Sequence, residues 1–182
     1  MKIAIFPGHI GKDSGALDRV SGHESDHLMT IESVINGQVA VLLKTKLDQM
    51  EINNEIYIGS FQKRIDKSQG CDLGISLHCD SFTDSSANGW TVFHYPGSNN
   101  GVKFSSTLRF ELENFVGKYI RGRGIKPHSY YILAKTKFPC VLLEMGFLTN
   151  VDDEINLNTY EVQNLIAHSI YCSILNFVQM KG

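Results

Sequence analysis

The sequence predicts an α/β fold, with a mostly parallel twisted sheet of about six strands and helices on both faces. Short apolar runs closed by turn residues alternate with longer stretches whose apolar residues recur at helical spacing. Length and composition agree with this, because 182 residues, 42% of them hydrophobic and 20% charged, can bury one sizeable core. A single domain spanning residues 1–182 is therefore expected.

Lys2 to Phe6 is apolar and stops at Pro7-Gly8, so it reads as a strand ending in a turn. Residues 10 to 30 are polar and carry Gly11, Gly15 and Gly22, which predicts a long loop, and long loops in compact domains are usually functional. Ile31, Val34, Ile35, Val39, Leu42, Leu43 and Leu47 predict a helix from Ile31 to Met50. Strands are then expected at Glu55–Ser60, Leu73–His78, Trp90–Tyr95, Tyr130–Leu133 and Cys140–Glu144, with a short polar helix at Phe61–Gln69. A second amphipathic helix is marked by Phe104, Leu108, Leu112, Phe115, Val116 and Tyr119, and ends near Arg121-Gly122-Arg123-Gly124. Asn158, with Glu161 three residues on, resembles a capping box opening a C-terminal helix through Val162, Ile166, Ile170, Ile174 and Phe177.

Lys plus Arg total 17 against 19 for Asp plus Glu, so the chain lacks the basic excess of a nucleic-acid binder. No run of 18 apolar residues exists, which argues against membrane insertion, and the N-terminal apolar stretch is too short for a signal peptide. Synthesis in the cytoplasm is expected. Cys71, Cys79, Cys140 and Cys172 have no CxxC spacing and read as buried free thiols. Seven histidines against one tryptophan is the compositional oddity, since histidine is the commonest metal ligand.

Sheets of this class bind ligands beyond the carboxyl ends of their strands. His9, His78 and Glu144 each follow an apolar run that reads as a buried strand, so they are expected at one rim. Glu144, at the edge of apolar surroundings, suits a general base; a loop cap or an arginine partner would explain it equally. Glu32 lies on the apolar stripe of the first long helix, and a buried carboxylate needs a partner. Two histidines with one carboxylate is a common hydrolytic zinc ligand set, although a first-turn glutamate is also favoured by the helix dipole. His23-Glu24-Ser25-Asp26-His27 is a literal H-E-x-x-H, yet it lacks the apolar helix that zincin chemistry requires. His94 and His128 adjoin tyrosines and could face the site or water, while His168 reads as a surface residue of the last helix.

The ordered blocks Phe6-Pro7-Gly8-His9, Asp13-Ser14-Gly15-Ala16, Glu32 with Asn36, Asp72 to His78 and Pro139 to Asn150 cover nearly the whole chain. Together they resemble the zinc-dependent N-acetylmuramoyl-L-alanine amidases of bacterial cell walls and phage lysins. The resemblance implies one zinc ion held by His9, Glu32 and His78, with Glu144 as catalytic acid/base and peptidoglycan as substrate. It implies a single catalytic amidase domain over residues 1–182, and the lack of a readable signal peptide adds the expectation that it acts at the wall or periplasm after release, through a holin-like pore or another lysis partner. Two departures stand out: Asp80 replaces the asparagine frequent after the second histidine, and a longer loop offers Glu24 as a second-choice ligand. The competing readings are a zinc peptidase of the stem peptide, a zincin built on His23, Glu24 and His27, and a non-catalytic wall-binding module.

Overall fold

The computed structural model describes residues 1–9, 15 and 32–180. Six strands, β1 (Lys2–Pro7), β2 (Asn53–Ile56), β3 (Leu73–Asp80), β4 (Trp90–His94), β5 (Gly122–Pro127) and β6 (Cys140–Phe147), form one sheet in the order β2-β1-β3-β6-β4-β5. The helices are α1 (Glu32–Gln49), α2 (Phe61–Lys67), α3 (Asn99–Phe115), α4 (Tyr131–Lys135), α5 (Val151–Leu157) and α6 (Tyr160–Gln179). Strands β2, β1, β3 and β6 run parallel, whereas β4 runs antiparallel to β6 and carries β5 parallel to itself. The predicted class is thus the observed one.

Strand alternation sorts side chains onto the two faces. Ile3, Ile5, Ile75, Leu77, Val141 and Leu143 face the larger layer, where Ile35, Val39, Leu43 and Leu47 of α1 meet Leu108 and Leu112 of α3 and Ile166, Ile170 and Ile174 of α6. Phe104 of α3 and Phe177 of α6 pack there with ring centroids 5.3 Å apart. Ala4, Phe6, Cys140 and Leu142 face the opposite way, under Ile65 of α2 and Ile132 and Leu133 of α4. The four cysteines are free thiols.

Several local expectations are corrected. Tyr130–Leu133 does not supply a strand; α4 begins at Tyr131, and the sixth strand is β5 at Gly122–Pro127. A four-residue apolar run fits a buried helix turn as well as a strand, and the glycines of residues 121–124, read as the end of the preceding helix, belong to an exposed, bulged edge strand. Asn158 does not cap the last helix: it closes α5, and Thr159 caps α6 by accepting from the Val162 N–H at 3.2 Å. The second strand is Asn53–Ile56 rather than Glu55–Ser60. The predicted loop over residues 10–30 lies outside the described residues except at Gly15.

Candidate active site

The site begins where β1 runs out. Pro7 ends the strand, the Gly8 N–H donates to the Leu77 carbonyl at 2.9 Å, and His9 follows at φ 53°, a left-handed conformation uncommon for a side-chain-bearing residue. Two further contacts hold this turn. Arg64 Nη1 on α2 donates to the Pro7 carbonyl at 3.1 Å, and Asn36 Nδ2 on α1 donates to the Gly8 carbonyl at 3.2 Å. Only glycine fits at position 8, because a Cβ there would lie 2.2 Å from the His78 ring.

Glu32 opens α1 and is 3% exposed, confirming its place on the buried stripe. Its Oε1 accepts from the Cys79 N–H at 3.2 Å and from Asn36 Nδ2 at 3.3 Å. The same oxygen lies 3.1 Å from His78 Nδ1 and 3.8 Å from His9 Nε2, and the two imidazole rings meet edge to face at 5.3 Å. One ligand atom from each of His9, Glu32 and His78 therefore lies within 4.8 Å of the others. Two nitrogens and one oxygen converging from three separate elements are a donor set that fits a zinc ion, with a fourth position left for water or substrate. Gly15 closes one side at φ +72°, so near that an added Cβ would stand 2.4 Å from Glu32 Oε2. Glu24, His23 and His27 lie outside the described residues.

Glu144 stands beside this cluster. It pairs in register with His78 across the parallel β3–β6 ladder, and Thr91 of β4 opposes it from the other side. Both His78 and Glu144 lie inside their strands rather than after them, since β3 and β6 are interior strands paired on both edges. Beyond that pair the register shifts before Asp80 meets Phe147, a bulge of the kind that re-aims side chains near active sites. Glu144 is 9% exposed, and its Oε2 has no hydrogen-bond partner among the described residues. Burial pushes its carboxyl well above the ordinary range, and the negative charges of Asp80 and Glu32 push the same way. Burial also raises the Asp80 carboxyl, against the pull of the Ser81 N–H.

The remaining described histidines stay out of the cluster. His94 is buried opposite Val141, at the far end of β6 from the site, with Nδ1 3.0 Å from the Tyr95 carbonyl. His128 is exposed and packs on Tyr130 at 3.9 Å. His168 is half-buried against Phe115, not a plain surface residue. Sequence reasoning overlooked Arg64 and also Asp153, whose Oδ2 accepts from the Gly89 N–H at 2.6 Å and the Phe147 N–H at 2.9 Å. Neither lies in an apolar pattern that its charge would interrupt visibly.

A family model described as N-acetylmuramoyl-L-alanine amidase matches residues 3–176. The N-acetylmuramoyl-L-alanine amidase LytC of Bacillus subtilis is 27% identical over 96% of this chain and 35% of its own length. LytH of Staphylococcus aureus, described as a probable cell wall amidase, is 29% identical over 92% of this chain and 55% of its own. The chain thus spans only about a third to a half of these relatives. Amidase AmiC2 of Nostoc punctiforme superposes with a TM-score of 0.87 at 24% identity, covering 98% of this chain and 97% of that one, and so shares the fold.

Proposed function

Because this chain belongs to the N-acetylmuramoyl-L-alanine amidase family, we propose that it hydrolyses the amide joining the lactyl group of N-acetylmuramic acid to L-alanine in peptidoglycan. Its place of action is the cell wall, and residues 1–182 form the catalytic unit. The observation that carries this reading is the juxtaposition of Glu144, buried and with an unpartnered Oε2, and the convergent His9–Glu32–His78 cluster.

His9, Glu32 and His78 would hold one zinc ion, which would supply Lewis-acid chemistry to the amide carbonyl and to the attacking water. The residues around it do the rest. Glu32 has its carboxylate fixed by Asn36 and the Cys79 N–H before any ligand arrives. Glu144 takes a proton from water as its oxygen adds to the lactyl carbonyl carbon, then delivers that proton to the alanine nitrogen as the C–N bond breaks. A carboxyl raised by burial suits both halves of that exchange, because it binds the proton firmly enough to hold it between steps.

Purified peptidoglycan digested with and without a chelator, followed by mass spectrometry of the products, tests the activity. The expected products are free stem peptides beginning at L-alanine and intact glycan strands, formed only without chelator. Stem peptides cut internally and still attached to muramic acid would replace this reading with a peptidase. Glu144→Gln should retain about one zinc per chain and lose at least 100-fold in rate, whereas His9→Ala and His78→Ala should lose the metal.

A further inference from the structure

We propose that Arg123 and Lys126 of the edge strand β5 form a subsite for a carboxylate of the substrate's peptide. The inference rests on the amidase reading and narrows the substrate class of that same site.

Register places the subsite. Glu144 is opposed by Thr91 on β4, and Phe93, two residues further along β4, pairs with Leu142 on one side and Lys126 on the other. Leu142 and Phe93 belong to the sheet face covered by the short helices, so alternation puts Glu144 and Lys126 on that face as well. Two steps across the sheet, at roughly 4.8 Å each, separate β5 from β6 by about 10 Å. Arg123 lies nearer the rim: its guanidinium sits 4.9 Å from the ring centroid of Phe147, the residue paired with Asp80. One Nη1 N–H donates to the Asn88 carbonyl at 3.2 Å, which anchors the side chain and leaves other donors of the fork for a ligand. Both side chains are exposed, and the positive charges of both reach Asp80.

Charge is therefore divided across the face. Glu144 lies at the centre, where a neutral amide is to be cut, while Arg123 and Lys126 put positive charge two strands away, about 10 Å across the sheet and, for Lys126, two residues further along it. A substrate with a neutral amide at Glu144 and a carboxylate further along its chain matches that division. In peptidoglycan the residue after L-alanine is acidic and occurs as the free carboxylate or as its amide. At about 3.3–3.6 Å per residue, two residues of extended chain bring that group roughly 7 Å along from the scissile nitrogen, and its own side atoms cover the rest. Phe93, Tyr130 and His128, mutually packed at 3.9 to 6.0 Å, wall the path between.

The test uses two soluble muramoyl peptides that differ only in carboxylate or carboxamide at the residue after L-alanine. The zinc-loaded protein should favour the carboxylate about tenfold in kcat/KM, and raised salt should shrink that ratio. Lys126→Gln and Arg123→Gln should each lower the ratio and together bring it near one, while Arg123→Lys retains part of it and Lys118→Gln leaves it unaltered. Calorimetry with the Glu144→Gln variant should show the same preference in binding alone. Equal cleavage of both peptides by the unsubstituted protein, or an unaltered ratio in Lys126→Gln with Arg123→Gln, overturns the subsite and leaves the amidase intact. Failure to cut the muramoyl–alanine bond in either peptide overturns the amidase reading and this inference with it.

Discussion

Asn36 makes no contact with substrate in the proposed reaction, yet its one amide nitrogen touches both halves of the candidate metal cluster: the Gly8 carbonyl before His9 and the Glu32 carboxylate. Removing it frees the turn that aims His9 and takes a donor from Glu32. Asn36→Ala should therefore weaken zinc binding by about 10–100-fold, measured by competition with a chromogenic chelator, while the fold persists. Glu32 itself was legible in the sequence because a charge on an apolar stripe demands a reason. His9, His78 and Glu144 were legible because each followed an apolar run. The 3.1 Å approach of His78 to Glu32 was not, since it joins residues 46 positions apart and depends on how α1 docks on the sheet. Gly8 and Gly15 gave no hint of what they approach, because a missing side chain leaves no pattern.

At the level of elements, the long helices and interior strands could be read because burial on a defined face imposes a period. Edge strand β5 escaped notice, with Gly122 and Gly124 breaking its pattern and solvent on its outer side removing the demand for apolar residues. Gly122 nevertheless has a packing role: a Cβ there would stand 2.5 Å from Cζ2 of the fully buried Trp90. Gly122→Ala should cost about 1–3 kcal/mol, the usual penalty for overpacking a tight site. For a chain of this length each kcal/mol corresponds to about 2–4 °C, so calorimetry should show a fall of several degrees. A change below one degree would mean that β5 shifts freely against β4. The swap of α4 for a strand at Tyr130–Leu133 has the complementary cause: a short apolar run carries no period long enough to distinguish a helix turn from a strand.

For the molecule as a whole, the junction between its parallel and antiparallel parts depends on one carboxylate. Asp153 on α5 joins the start of β4 to the end of β6 through two backbone N–H bonds to a single oxygen. Burial holds its carboxyl above the ordinary aspartate range despite those bonds. A folded-state pKa raised above the unfolded one means that the group's contribution is greatest below the unfolded pKa and declines as pH rises through the folded value. Asp153→Asn keeps an oxygen for both N–H groups and removes the charge, so its melting temperature should gain on the native protein as pH rises through that window. Asp153→Ala strands both donors and should cost about 1–3 kcal/mol for each at acid pH, and less as pH rises through that window. Parallel melting curves of the three proteins from acid to neutral pH would decide this, and a constant offset for the asparagine variant would contradict it.

The reversal at β4 has a further consequence. The candidate ligands His9, His78 and Glu32 sit just past β1, on β3 and at the start of α1, and Glu144 on β6, all by the parallel part of the sheet, whereas β5 hangs beyond β4 with one edge unpaired among the described residues. Side chains on that outer strand can be exchanged without disturbing the interior ladder that aligns His78 with Glu144. Under the subsite proposed for β5, which wall is opened can thus vary independently of how it is opened, and an engineer seeking a new target spectrum has a natural place to begin a library.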